Sequence, residues 1–189
     1  MSCKCIAVIG IVLTLLLSGC VKFNNLSGDI MDSNNYATAN SYNPEEEKTT
    51  LKQVEVFLRN NVAAMETLSE AMISCYEKGE ILQYYPKEQC LYRYDDNSYA
   101  PQEKLQFHPI KEKAAFLHNS SLFDLVATVN DQRILESLHC EYCSYIYDEQ
   151  GRLYSCICLI YCDNPAAEKG EFSLTEVLPH WYYLVEYYE

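Results

Sequence analysis

His139, Cys140 and Cys143, followed by Cys156 and Cys158 with Cys162 close behind, gather an imidazole and five thiols into one short stretch of chain. Thiolates and imidazoles are the usual ligands of zinc. Two neighbouring thiols in an exported chain can instead join as a disulfide, and a thiol beside a base can act as a nucleophile. Cys75 and Cys90 bring the thiols beyond residue 20 to seven, an odd number that cannot all pair internally.

Which chemistry is open depends on the backbone that carries these residues. Residues 134–147 are rich in β-formers, Asp148-Glu149-Gln150-Gly151 has the composition of a turn with glycine at a left-handed position, and Leu153 to Cys162 continues as a second β-prone run. The reading is a hairpin. Closed on a two-residue loop, it sets Cys143 opposite Cys156. A bulge at Gly151 moves the register by one and sends those two to opposite faces. The glycine favours the bulged form, which places Cys140, Cys156, Cys158 and Cys162 together on one face. Zinc ligands usually leave a tight turn, whereas these would sit within strands, so the sequence predicts buried thiols or at least one disulfide among Cys140, Cys143, Cys156, Cys158 and Cys162. It calls for no metal and no cofactor.

Other catalytic arrangements are missing from the sequence. His139 adjoins Cys140 but points the other way in a strand, and His108, His118 and His180 have no placed partner. There is no H-E-x-x-H, no G-x-S-x-G and no spaced carboxylate pair. Six glycines, no two fewer than nine positions apart, exclude the glycine-rich loops that cradle phosphates. Asp95-Asp96-Asn97 lacks the rest of a calcium loop and reads as a turn. The expectation is a protein without enzymatic activity.

The elements that position these residues begin at Asn43-Pro44-Glu45-Glu46-Glu47, where a capping side chain, a proline at the first helical position and acids in the first turn start a helix. Leu51, Val54, Leu58, Met65, Leu68 and Met72 recur at 3-4 spacing, with Asn61 and Cys75 in the same stripe, until Gly79 offers a stop, so the helix spans 44–78. The stripe has a heptad character over 51–75, with Asn61 as a register-setting position of a self-associating coiled coil. Val56, Phe57, Val62 and Ile73 widen it, however, which favours packing on the domain's own sheet. Residues 80–118 are punctuated by turn formers, with a short strand over 104–107 and helical turns over 111–117. Ser120 or Ser121 reads as the cap of a helix through Leu122, Phe123, Val126 and Val129. The aromatic run from Trp181 to Tyr188 supplies a third strand beside the hairpin. The fold class is α+β, a long N-terminal amphipathic helix packed on an antiparallel meander over 133–189, within a single domain of residues 44–189.

Upstream lies Lys4, an apolar run from Ile6 to Leu17, and then Leu17-Ser18-Gly19-Cys20. About twelve apolar residues fall short of the roughly twenty that span a bilayer as a helix, which fits the core of a cleaved export signal. Leu17-Ser18-Gly19-Cys20 resembles the lipobox of bacterial lipoproteins. That resemblance implies cleavage after Gly19, a diacylglyceryl group on the Cys20 thiol, and a mature chain anchored by acyl chains to the outward side of a cell membrane. Residues 20–43, rich in Asn, Ser, Asp and Thr, read as a flexible tether reaching on the order of 25 Å. Tether, long helix, short helix and aromatic-ended meander together are similar to the pattern of many small bacterial lipoproteins, a likeness that implies a style of fold and no activity.

Loss of residues 1–19 leaves 13 basic residues against 27 acidic ones, a formal charge of −14. Such a surface gains nothing from counterion release, so nucleic acid is not an expected partner. The sequence therefore predicts a membrane-anchored exported lipoprotein whose domain binds an envelope protein or glycan. An envelope thiol, redox or enzymatic role for the strand cysteines is the alternative. Oligomeric state is left open.

Overall fold

A computed structural model describes residues 44–95, 98–164 and 170–188. The export signal, lipobox and tether expected over residues 1–43 lie outside the described residues, as do Asp96 and Asn97 of the expected turn. Helix α1 runs Pro44–Glu77, 34 residues and about 51 Å long. It ends as its sequence demands: Gly79 adopts φ +84°, its N–H donates to the Tyr76 carbonyl, and the Glu80 N–H donates to the Cys75 carbonyl at 3.0 Å. A glycine in the left-handed region thus closes the helix with the paired bonds of a Schellman motif.

Eight antiparallel strands follow: β1 (Ile81–Tyr85), β2 (Cys90–Asp95), β3 (Ser98–Leu105), β4 (Leu125–Val129), β5 (His139–Tyr147), β6 (Leu153–Tyr161), β7 (Thr175–Leu178) and β8 (Trp181–Tyr187). They form one sheet in the order β3-β2-β1-β4-β5-β6-β8-β7. Between β3 and β4 the chain makes a short helix α2 (Pro109–Lys113) and a 3-10 turn (Ala114–Leu117), where helical turns were expected. Ile110, Ala114 and Leu117 join the core there. The fold is α+β, a long helix on a meander-like sheet.

Helix α1 lies across one sheet face. Val54, Leu58, Met65, Leu68 and Met72 are buried against Leu82, Tyr84, Val126, Tyr142, Ile157, Leu159 and Trp181. At the centre Tyr142 Oη and Ser69 Oγ sit 2.9 Å apart and share the Met65 carbonyl, so the helix is pinned to the sheet by a polar contact inside an apolar layer. Asn61, expected as a possible coiled-coil register residue, donates to the Phe57 carbonyl of its own helix at 2.9 Å. The stripe serves the intramolecular layer.

Three expectations need correction. The sheet is not confined to 133–189 but begins at Ile81, and the strand expected over 104–107 is the end of a longer one, β3, that stops at Leu105. No helix spans Leu122 to Val129. Leu125–Val129 is a central strand buried on both faces, which removes the alternation that marks a strand, while Ser120 Oγ accepts from the Leu122 N–H in a local turn. The third correction concerns register. Tyr147 pairs with Leu153, as the bulged turn predicts, and Gly151 has φ +76°. Tyr154 is then an extra residue in β6, so Ile146 pairs with Ser155 and Cys143 with Cys158. One further step reverses the facing of every β6 residue relative to β5.

Candidate functional site

That extra residue decides which thiols meet. Cys143 now faces Cys158 directly, and Cys156 is two residues along the same strand on the same face. Their Sγ atoms form a cluster: Cys143 to Cys158 is 3.9 Å, Cys156 to Cys158 is 3.5 Å, and all three lie within 4.8 Å of one another. Cys140, expected beside Cys156 and Cys158, points to the opposite face under α1, its Sγ 4.0 Å from Met72 Sδ. Burial pushes the Cys140 thiol well up. Cys162 follows the end of β6, with its Sγ 2.9 Å from Ser137 Oγ and bonded to the Asn164 carbonyl at 3.3 Å. All five expected thiols are buried, and all are free cysteines in this structure.

The cluster sits on the sheet face turned away from α1. Cross-strand pairing sets it in two rows, Leu125-Cys143-Cys158-Leu184 and Tyr145-Cys156-Glu186. A third row beside them holds Glu141, Ile160 and Tyr182. Contacts among the three thiols, joined by burial, push each of them well above the ordinary thiol range. Burial likewise raises the Glu186 carboxyl, although the Tyr188 hydroxyl donates to it at 3.0 Å. This site has carboxylates near it and little to stabilise a bare thiolate. A low-pKa nucleophile needs the opposite surroundings.

His139 is on the same face but occupied. Its Nδ1 is 2.9 Å from the Ser137 carbonyl and its Nε2 is 3.1 Å from Glu141 Oε1. Burial works to lower its pKa, but the Glu141 hydrogen bond and charge outweigh that and hold it above the usual value. A second cluster, not anticipated from sequence, brings Cys75, Glu80 and His108 donor atoms within 4.8 Å of one another at the end of α1. Glu80 is already paired there with Arg93 at 3.3 Å, and His108 Nδ1 accepts from the Ile110 N–H.

A cleft of ≈ 770 Å³ opens between α1 and the 119–124 segment, reaching Ser144, Tyr145 and Ile146 at the end of β5. Its size suits a small ligand, for which pockets typically run about 300–1,000 Å³. Its wall sets the amides and hydroxyls of Thr50, Gln53, Asn60, Asn119, Ser120 and Ser121 within a larger apolar surface. The part-buried Phe57 adds apolar surface, and Val56 is half exposed at 51%. Two acids, Glu46 and Asp124, are balanced by Lys52 and Lys87, with Lys87 Nζ bonded to Asp124 at 2.6 Å. In a chain of charge −13 this is a neutral patch. No sequence pattern announced it, because its wall comes from segments far apart in the chain.

Comparison with protein-family models, with curated proteins and with solved structures finds no match for this chain. Among the described residues no helix is long and apolar enough to cross a membrane.

Proposed function

We propose that this chain is a lipid-anchored, exported binding protein, held by acyl chains on Cys20 to the outward side of a cell membrane, whose cleft beside α1 takes a neutral, hydroxyl-rich glycan of the envelope. The observation that carries the reading of the ligand is the charge balance of a cleft that carries amide and hydroxyl groups beside apolar surface in an otherwise strongly acidic protein. Side-chain amides donate and accept at once, which suits sugar hydroxyls. The anchor rests on Leu17-Ser18-Gly19-Cys20 at the end of a short apolar run. Two or three acyl chains at about 0.8 kcal/mol per buried CH₂ hold a protein stably.

Calorimetric titration of the purified protein with neutral and with charged oligosaccharides tests the ligand. Binding of neutral sugars, insensitive to salt and weakened about thirtyfold in Gln53→Ala/Asn60→Ala by loss of two hydrogen bonds worth about 1 kcal/mol each, is the expected outcome. Neutral sugars that fail to bind, or bind the variant equally well, would contradict it.

A further inference from the structure

The register set by Tyr154 has a chemical consequence that does not depend on the cleft. We propose that Cys143, Cys156 and Cys158 form a three-thiolate site for one soft, monovalent d10 metal ion, with Cu(I) the best match. Geometry carries the argument. A metal bonded to sulfur at ~2.3 Å needs sulfur–sulfur separations of ~4.0 Å in a trigonal plane and ~3.8 Å in a tetrahedron. The separations present, 3.5 and 3.9 Å with the third inside 4.8 Å, lie within a few tenths of an ångström to about an ångström of that triangle. Side-chain torsions alone accommodate such a change. Because two of the donors stand on β6 and the third directly opposite on β5, two central strands of the sheet hold the triangle in place.

The ligand set selects the ion. Thiolate-only donors favour soft ions such as Cu(I). Structural zinc closes its shell with four ligands, and among the described residues the cluster offers three. His139, the imidazole on this face, already spends both ring nitrogens on Ser137 and Glu141. A disulfide is a poorer use of the same atoms. Joining Cys143 to Cys158 would leave Cys156 without its partners, and Cys156 with Cys158 would have to bridge two positions of one extended strand.

Binding is a proton exchange. Three S–H bonds break, three metal–sulfur bonds form and three protons leave to solvent. The metal enters as Cu(I), so no electron is transferred. Because the thiols give up these protons to bind the metal, affinity rises with pH. Glu186 pairs directly opposite Cys156, and Glu141 stands on the same face of β5 as Cys143.

The test is anaerobic titration of the detergent-solubilised full chain with Cu(I) against a Cu(I)-specific chelator, followed by X-ray absorption at the copper edge. The expected result is one tightly held ion per chain in a shell of three sulfurs with no nitrogen or oxygen. Cys143→Ser, Cys156→Ser and Cys158→Ser should each weaken binding by at least about tenfold, equivalent to about 1.4 kcal/mol. Cys75→Ser, which removes the thiol of the other cluster, should leave it unchanged. The wild-type sulfur count stands even where a variant fails to fold. Two sulfurs, a nitrogen or oxygen in the shell, undiminished binding by a folded variant, or a native Cys143–Cys158 disulfide in non-reducing peptide maps would each overturn the proposal.

Discussion

Truncating Leu68 to alanine tests the helix-on-sheet layer that the whole domain depends on. Leu68 is 0% exposed in the C-terminal half of α1, beside the Ser69–Tyr142 contact, and it belongs to the same buried core as the helix-facing residues of the sheet. Removing a fully buried leucine side chain costs the transfer of its carbons plus the cavity left behind, about 3 kcal/mol within a range of about 2–5. For a domain of this size each kcal/mol lowers the melting temperature by about 2–4 °C, so the variant should melt about 6–12 °C below wild type. Val56→Ala on the exposed side of the same helix, at 51% exposure, should cost less than about 0.5 kcal/mol. Thermal melts followed by circular dichroism, in reductant and at several protein concentrations, make the comparison. Equal melting of the two variants would refute the layer. So would a midpoint that climbs with protein concentration, because that is the mark of a helix stabilised by association.

Tyr142→Phe deletes the hydroxyl that reaches Ser69 and the Met65 carbonyl but leaves Ser69 bonded to that carbonyl, so chemical denaturation should show a loss of about 1 kcal/mol and no change in slope. His139, held above its ordinary pKa by Glu141, should contribute stability that is fully present below its unfolded value of about 6.5 and lost as pH rises through the higher folded value. Stability profiles of wild type and His139→Gln, together with an NMR titration of the ring, check this, and a folded pKa below the unfolded one would reverse the sign. Gly151→Ala meets nothing within 4 Å, so its cost of about 1 kcal/mol comes from φ +76° alone and should appear as a small fall in melting temperature.

The parts of the fold that could be read from sequence are those whose cause is local. Pro44 with its following acids opened α1, a 3-4 apolar stripe defined its buried face, and Gly79 ended it. The turn at Gly151 and the aromatic strand Trp181–Tyr187 also carried their own signals. Strands β1 to β3 did not, because Gln83, Arg93, Lys104 and Pro101 interrupt any alternation, and Pro101 is tolerated in β3 because that strand lies at the sheet edge. β4 read as a helix since burial of both its faces leaves a continuous apolar run. The candidate sites were the least legible. Which cysteines meet depends on a single added residue, Tyr154, which no local propensity marks, and the cleft depends on how α1 crosses the end of β5.

Intact mass and N-terminal peptide analysis of the native protein, purified from membranes, address the anchored state most directly. The account predicts a mature chain that begins at Cys20 and carries a diacylglyceryl thioether with its acyl chains. A mature terminus elsewhere, or a Cys20 whose mass shows no lipid, would contradict it.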